Sequence, residues 1–130
     1  MKIAWHIDDD QEMLNVIKLM MQLIGYEVRS FLAASKASEA LQTGLGKPDL
    51  ILLDINMPQV SGMDMLEFLR MKPEFKTLPI VMLSSEYTDI QVDEAFDLGA
   101  DAFVLKPATL DELESGIDKA LASAQKRQEQ

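Results

Sequence analysis

Five polar side chains stand directly after short apolar runs of the sequence: Asp8, Asp9, Asp54, Ser84 and Lys106. Three carboxylates held close together repel one another, and a hard divalent cation among them relieves that repulsion. Magnesium suits such a site, because it binds carboxylate, water and phosphate oxygens together. The chain has no cysteine and a single histidine, His6, which argues against zinc. With a lysine ammonium and a serine hydroxyl nearby, these groups have the chemistry to hold a phosphoryl group.

These side chains meet only if the runs before them are strands of one sheet. The runs predicted as strands are residues 2–7, 27–31, 50–53, 79–83 and 102–105, and five segments with helical periodicity alternate with them. Parallel strands need crossover connections, which place helices over both faces of the sheet. We therefore predict an α/β, doubly wound fold. Its strands would open their carboxyl ends onto one edge, where ligands bind in such sheets.

The ends of the first helix are also marked in the sequence. Asp9 followed three positions later by Glu12 resembles a capping box, which is typical of a helix start. This interpretation does not exclude a metal site, because Asp10 can cap the helix while Asp8 and Asp9 bind metal. Gly25 follows the last apolar residue of the helix and is expected to end it.

The composition bounds the class of protein. A chain of 130 residues with 48% hydrophobic and 26% charged side chains is expected to fold as one globular domain. Its net charge of -10 argues against direct binding of nucleic acid. The apolar stretch at the N-terminus is too short for a signal sequence or a membrane span, and there is no cysteine to form disulfides. We therefore expect a cytoplasmic protein without membrane contact.

Four segments of the chain resemble the receiver domain of bacterial response regulators, in the same order and at the same separation. They are HIDDD at 6–10, LLDINMP at 52–58, VMLSS at 81–85 and GADAFVLKP at 99–107. The resemblance extends over nearly the whole chain. It implies a flavodoxin-like sheet of strand order 2-1-3-4-5 and a stand-alone protein similar to the chemotaxis regulators. Residues 1–121 would form the receiver domain, and residues 122–130 a polar helix end or tail.

The resemblance also implies a role for each acidic site residue. Asp54 is similar to the phosphoacceptor of the family, which takes its phosphoryl group from a sensor histidine kinase or a small phosphodonor. Asp9 is similar to the direct ligand of Mg²⁺ and Asp8 to a ligand that acts mainly through water. Asp54 itself and the backbone carbonyl of Asn56 complete the metal ligands that the family implies.

Three further residues match the switching parts of the family. Lys106 is similar to the lysine that pairs with the bound phosphoryl group, and its bond to the following proline is cis in the family. Ser84 is similar to the hydroxyl residue that hydrogen-bonds a phosphoryl oxygen. Phe103 is similar to the aromatic switch, whose inward movement changes the surface of the fourth and fifth helices. Threonine and tyrosine are frequent at these last two positions; serine keeps the hydroxyl, whereas phenylalanine lacks the phenol.

Two positions next to the site bear on the lifetime of the phosphoryl group. Asn56 and Glu86 lie two residues after Asp54 and Ser84, and in the family these positions affect the rate of hydrolysis. Lone His6 has no counterpart in this set, and we interpret it as a satisfied core or half-buried histidine without a role.

The partners implied by the resemblance are a sensor histidine kinase or phosphotransfer protein and an unidentified downstream protein, with the chain as a monomer or weak dimer. One alternative is a receiver cut from a larger hybrid kinase or transcription regulator. Another is a phosphatase with an aspartyl nucleophile and Mg²⁺. Against the phosphatase, Asn56 stands where such enzymes usually carry a second carboxylate, and no cap domain is present.

Overall fold

The computed structural model describes residues 1–44 and 46–129. The strands are β1 (Lys2–Ile7), β2 (Tyr26–Phe31), β3 (Leu50–Asp54), β4 (Ile80–Ser84) and β5 (Ala102–Leu105). The helices are α1 (Gln11–Ile24), α2 (Ala34–Gln42), α3 (Gly62–Met71), α4 (Asp89–Asp97) and α5 (Leu110–Gln128), with one 3₁₀ turn at Pro73–Phe75. The predicted alternation of strands and helices is confirmed. The fourth strand begins at Ile80, one residue later than predicted, because Pro79 has no N–H to donate to a neighbouring strand.

All five strands are parallel and lie in the order β2-β1-β3-β4-β5, which confirms the predicted flavodoxin-like sheet. The order reverses between β1 and β3, and a parallel sheet binds ligands at the carboxyl ends beside such a reversal. The register aligns these ends: Ile7 pairs with Leu53, and Asp54 pairs with Leu83. Asp8 and Asp54 are thus brought to neighbouring positions by the sheet itself.

Helices cover both faces of the sheet, so each face carries its own apolar core. Trp5, Ile7 and Leu53 point toward the core that α2, α3 and α4 cover. Leu52 and Leu83 point toward the core that α1 and α5 cover. Burial of each such side chain contributes about 1.5–3 kcal/mol, which makes the three central strands a rigid base for the loops at their ends.

The first helix begins and ends as its sequence predicts. The Asp10 carboxylate accepts hydrogen bonds from the backbone N–H groups of Glu12 and Met13. Gly25 ends the helix with a φ of 104°, a left-handed conformation that favours glycine. Because Asp10 is used as the cap, the side chains of Asp8 and Asp9 remain available to the edge of the sheet.

A buried ion-pair cluster stabilises the edge of the sheet where the strands begin, opposite to their carboxyl ends. Asp101, just before β5, accepts hydrogen bonds from Arg70 Nη2 at 2.9 Å and Ser123 Oγ at 2.7 Å, and it also pairs with Arg127. The backbone N–H of Ile80 donates to the same carboxylate at 2.9 Å. Burial lowers the pKa of Arg70 to about 10 in spite of the facing Asp101, so the guanidinium stays charged at neutral pH. The cluster joins α3, β4 and the end of α5.

Candidate functional site

Three carboxylates converge where β1 and β3 end. Asp8 and Asp9 lie in the loop after β1, Asp54 is the last residue of β3, and one carboxylate oxygen of each lies within 4.8 Å of the others. Asp8 and Asp54 are buried, whereas Asp9 is exposed to solvent. Two buried carboxylates with a third at the opening form a site that a small cation can enter from one side.

Lys106, the first residue after β5, reaches across to this acidic group. Its Nζ lies 2.8 Å from Oδ1 of Asp54 and 3.1 Å from Oδ2 of Asp8, so it donates hydrogen bonds to both carboxylates. The backbone N–H of Lys106 donates to the carbonyl oxygen of Ser84 at 2.7 Å, which fixes the start of its loop against β4. The peptide bond between Lys106 and Pro107 is cis, as the resemblance implies.

The surroundings of the two buried carboxylates shift their pKa values in opposite directions. Burial raises the pKa of Asp54, and although Lys106 opposes this, the pKa stays above its ordinary value. Burial acts on Asp8 in the same sense, but the imidazole of His6, the Asp10 N–H and Lys106 together bring its pKa below the ordinary value. Burial would lower the pKa of Lys106, and the two carboxylates outweigh it and raise that pKa. Of the two buried carboxylates, Asp54 is therefore the one that gains more from additional positive charge.

The hydroxyl of Ser84 is engaged by the loop and helix that follow β4. It accepts a hydrogen bond from the backbone N–H of Glu86 at 3.0 Å and donates one to Oε1 of Gln91 at 3.3 Å. Gln91, in the first turns of α4, was not among the residues predicted from the sequence. A glutamine at that place on a helix usually faces solvent, so no local pattern marks it. The contact links the hydroxyl residue of the site directly to α4.

Phe103 lies on β5 with its ring half-buried. Its ring meets that of Tyr87 edge to face, with centroids 5.6 Å apart and planes at 89°. The side chain of Tyr87 is 58% exposed, so the pair lies between the core and the outer surface. The arrangement leaves Phe103 at the boundary between the site edge and the surface of α4 and α5.

A cleft of about 270 Å³ opens above the carboxylates. Asp8, Asp9, Asp54, Asn56 and Lys106 are among the residues that line it, and Asn56 is exposed on its border. The oxygen donors of this cleft are of the hard type that Mg²⁺ prefers. The residues present therefore fit a magnesium ion at the mouth of the cleft.

Gly62, the first residue of α3, holds this helix unusually close to the phosphoacceptor candidate. A Cβ atom at Gly62 would overlap the backbone carbonyl of Asp54 and lie 2.8 Å from Cα of Ile55. The N–H of Gly62 donates to the carbonyl oxygen of Ile55 at 2.9 Å, and Ser61 caps the helix through the N–H of Asp64. Gly62 was not among the residues predicted from the sequence, because the close approach depends on how α3 lies against the end of β3.

His6 departs from its expected state. The side chain is fully buried, and neither ring nitrogen has a hydrogen-bond partner among the described residues. Its Nε2 lies 3.6 Å from Oδ2 of Asp8, which is longer than a hydrogen bond but close enough for the imidazole to lower the pKa of that carboxylate. The prediction of a core histidine is confirmed, but its ring nitrogens are not satisfied by hydrogen bonds among the described residues. The ring is therefore buried in the sheet with the carboxylate of Asp8 close to it.

Comparison with known proteins identifies the family. The sequence profile of the response regulator receiver domain matches residues 5–118. The phosphate regulon transcriptional regulatory protein PhoB of Rhizobium meliloti is 35% identical over 124 residues, which cover 95% of this chain and 53% of PhoB. Chemotaxis protein CheY1 of Helicobacter pylori is 29% identical over 119 residues, which cover 90% of this chain and 94% of CheY1.

Solved structures show the same relationship. The chemotaxis protein CheY4 of Vibrio cholerae superposes with a TM-score of 0.85 at 26% identity, covering 93% of this chain and 99% of CheY4. A response regulator of Chloroflexus aurantiacus gives a TM-score of 0.85 at 28% identity and covers 93% of this chain and 98% of that protein.

The relatives differ in length. The chain spans about half or less of several curated relatives, including 53% of PhoB and 17% of protein RcaC of Microchaete diplosiphon. Among the helices of residues 1–44 and 46–129, none combines the length and the apolar character that a membrane span requires. The profile match over most of the chain, the sheet order and the acidic cleft agree, and the chain belongs to the response regulator receiver domain family of two-component signalling.

Proposed function

We propose that this chain is a phosphorylation-activated switch in which Asp54 accepts a phosphoryl group with the help of Mg²⁺. The observation that carries the proposal is the placement of Lys106 Nζ 2.8 Å from Asp54 Oδ1, inside a group of three carboxylates. A buried carboxylate held by one cation and open to a cleft is suited to attack an incoming phosphorus atom.

In the proposed transfer, a carboxylate oxygen of Asp54 attacks the phosphorus of a phosphohistidine. A new O–P bond forms as the P–N bond breaks, and the departing imidazole nitrogen keeps the electron pair and takes up a proton. Lys106 is placed to pair with a phosphoryl oxygen after the transfer, because its Nζ already contacts the attacking carboxylate. The chain thus supplies the nucleophile and part of the charge that the phosphoryl group needs.

Asp8, Asp9, Asp54 and the backbone carbonyl of Asn56 are the groups that we propose to hold Mg²⁺. Asp9 is the exposed carboxylate of the three and lies at the opening, whereas Asp8 is already bonded to Lys106. When bound, the ion supplies positive charge that offsets the repulsion between the carboxylates and the incoming phosphate.

We further propose that phosphorylation is read through Ser84 and Phe103. A phosphoryl oxygen on Asp54 would compete with Gln91 for the Ser84 hydroxyl, and withdrawal of that hydroxyl from α4 would let the Phe103 ring move inward. The surface around α4 and α5 would change as a result.

The proposed donor is a sensor histidine kinase or a phosphotransfer protein, and the proposed receiver of the signal is another protein in the cytoplasm. We propose residues 1–121 as the receiver domain, acting as a monomer or weak dimer. A second arrangement, a receiver within a longer regulator, is supported by PhoB, of which the chain spans about half.

The phosphoacceptor assignment is tested by intact-mass measurement after treatment with acetyl phosphate and Mg²⁺. One added phosphoryl group is expected on the wild-type chain and none on Asp54→Asn. The same modification on Asp54→Asn would contradict the assignment. Sustained release of phosphate from a generic phosphoester would contradict a switch and favour the phosphatase alternative.

The metal assignment is tested by Mg²⁺ titration of two variants of the same loop. Asp9→Ala is expected to lose most of the affinity because it removes an oxygen ligand. Asp10→Ala removes the cap of α1 and is expected to cost about 1 kcal/mol of stability without a comparable loss of affinity. Equal losses of affinity in the two variants would contradict the assignment of Asp9 as a metal ligand.

A further inference from the structure

His6, the only histidine of the chain, lies on β1 two residues before Asp8. It is in register with Ser30 of β2 on one side and with Leu52 of β3 on the other, so paired strands fix its backbone. The pairing continues to Asp8, whose N–H donates to the carbonyl oxygen of Phe31 at 3.0 Å. The imidazole and the Asp8 carboxylate are therefore held on the same side of the sheet, because side chains two positions apart along a strand point the same way.

The imidazole of His6 is buried without a hydrogen bond. The side chain has no exposed surface, and neither ring nitrogen has a partner among residues 1–44 and 46–129. A buried donor that stays unpaired has lost its bonds to water and gained none in exchange, so such groups are rare in folded proteins. Nε2 lies 3.6 Å from Oδ2 of Asp8, and the two atoms would form a hydrogen bond if they approached by about 0.5 Å.

Both carboxylate oxygens of Asp8 already accept a hydrogen bond. The backbone N–H of Asp10 donates to Oδ1 at 3.0 Å. Nζ of Lys106 donates to Oδ2 at 3.1 Å, and the same Nζ lies 2.8 Å from Oδ1 of Asp54. Lys106 is therefore shared between two carboxylates, and it holds the Asp8 oxygen that lies within 3.6 Å of His6.

We propose that His6 is a positioning residue: its Nε2–H takes over Oδ2 of Asp8 when Lys106 turns to a phosphoryl group. Asp8 then keeps one donor on each oxygen in both states, and so keeps its orientation toward the metal site. The movement of Lys106 rests on the proposed function of Asp54, whereas the pairing of His6 with Asp8 rests on their geometry alone. The pairing needs a proton on Nε2 and does not depend on the charge of the ring.

The alternative is a histidine that only fills space in the sheet. An aliphatic side chain would fill that space without unpaired nitrogen atoms, which are costly in a buried position. The two roles differ in one observable: the Nε2–H of a positioning residue responds to the state of Lys106, and that of a space-filling residue does not.

The first test withdraws Lys106 from Asp8 without phosphorylation. In Lys106→Met, in metal-free buffer, we expect the Nε2–H proton of His6 to move downfield in the NMR spectrum as it bonds to Asp8. The resonance is assigned directly because the chain has one histidine. Lys119→Met, which removes an exposed lysine of α5, should leave the resonance in place. An unchanged resonance in Lys106→Met, or a proton on Nδ1 in place of Nε2, would overturn the proposal.

The second test adds beryllofluoride, an analogue of a carboxyl-bound phosphoryl group, to the full chain with Mg²⁺. The Nε2–H resonance of the wild-type chain is expected to move downfield relative to Mg²⁺ alone. A shift in Lys106→Met without a shift on beryllofluoride would contradict the movement of Lys106 and support the pairing of His6. Failure of acetyl phosphate to modify Asp54 would contradict the proposed function, while the first test still decides the role of His6.

Two substitutions of His6 separate positioning from packing. His6→Leu keeps an apolar bulk without a donor, whereas His6→Gln supplies an amide N–H in place of Nε2–H. Without beryllofluoride, Lys106 still holds Asp8, and we expect the Mg²⁺ affinity of both variants to stay within about twofold of the wild-type value. Mg²⁺ titrations followed by backbone amide shifts measure this affinity.

With beryllofluoride, His6→Leu is expected to need about tenfold more Mg²⁺ to form the complex, and His6→Gln to recover most of that loss. Equal losses in the two variants would show that packing alone is affected and would overturn the proposal. A loss in His6→Leu that is the same with and without beryllofluoride would overturn it as well.

Discussion

At the scale of single residues, the site is a balance between one ammonium and two buried carboxylates. Lys106 donates to both Asp8 and Asp54, yet the pKa of Asp8 is lowered and that of Asp54 is raised. The imidazole of His6 and a hydrogen bond from the N–H of Asp10 lower the pKa of Asp8, whereas Asp54 faces the charges of Asp8 and Asp9. Ionisation of Asp54 therefore costs free energy in the folded protein, and a bound metal ion would remove that cost.

This cost predicts that Asp54→Asn is more stable than the wild-type chain at pH 7 in metal-free buffer. The pKa of Asp54 is raised above its ordinary 3.8 in the folded state, so the stability that its bound proton contributes is complete below pH 3.8. That stability is lost as the pH rises through the pKa that Asp54 has in the folded state. Asparagine does not titrate, so the difference should vanish in acid. Urea unfolding across this pH range measures it, and a less stable Asp54→Asn at pH 7 would contradict the balance.

The contact between Ser84 and Gln91 predicts a second effect. If Gln91 holds the hydroxyl away from the phosphoryl site, Gln91→Ala should speed modification by acetyl phosphate about fivefold, the equivalent of one net hydrogen bond of about 1 kcal/mol. The rate is followed by the time course of intact mass. Asp93→Ala, an exposed change on the same helix, serves as control.

A double-mutant cycle separates this contact from a general loosening of α4. In a Ser84→Ala background, Gln91→Ala should have no further effect on the rate, because the hydroxyl that it holds is gone. An unchanged fivefold effect in that background would show that Gln91 acts by another route.

The sequence predicts the residues of the site better than their contacts. Asp54 and Lys106 are predictable because Asp54 ends one apolar strand and Lys106 directly follows another, and the parallel sheet then brings these strand ends together. Gln91 and the unpartnered state of His6 were not predicted, because both depend on which side chains from distant segments happen to surround them. Such contacts are set by packing and leave no local pattern.

At the scale of elements, the position of Asp54 depends on how closely α3 begins beside it. Gly62→Ala would place a methyl group against the carbonyl of Asp54, so β3 or α3 must move. We expect a loss of about 1–3 kcal/mol in unfolding free energy and a large decrease in the rate of modification by acetyl phosphate.

Ser61→Ala is the matched control for this helix. It removes the cap of α3 and is expected to cost about 1 kcal/mol while leaving the modification rate near that of the wild-type chain. A Gly62→Ala variant with the wild-type rate would show that the close approach does not position Asp54.

Element boundaries were predictable where the signal is local. The cap at Asp10 and the glycine at Gly25 act through backbone atoms within a few residues, and both predictions are confirmed. The strand order came from the resemblance to the family. Alternation of strands and helices specifies helices on both faces, yet it does not specify which strands are neighbours.

At the scale of the whole molecule, the two ends of the strands have different roles: one edge of the sheet carries the site and the other stabilises the fold. The carboxyl edge holds the acidic cleft, and the opposite edge is fastened by Asp101 with Arg70 and Arg127. Removal of a buried carboxylate that has several partners is costly, because the guanidinium groups that remain lose their counter-ion.

Asp101→Ala is accordingly expected to destabilise the protein by about 3–5 kcal/mol, because it leaves Arg70 and Arg127 without their shared partner. Denaturant unfolding at pH 7 measures the loss. Asp97→Ala, an exposed change at the end of α4, should remain within about 0.5 kcal/mol of the wild-type chain. Similar losses in the two variants would show that the cluster does not fasten this edge.

The central claim is that the phosphoryl group resides on Asp54 as an acyl phosphate, and borohydride reduction followed by peptide mass mapping tests it most directly. After treatment with acetyl phosphate and Mg²⁺, reduction should convert Asp54 to homoserine, and omission of Mg²⁺ should abolish the product. Homoserine at Asp8 or Asp9, or a product at Asp54 that forms equally well without Mg²⁺, would contradict this account.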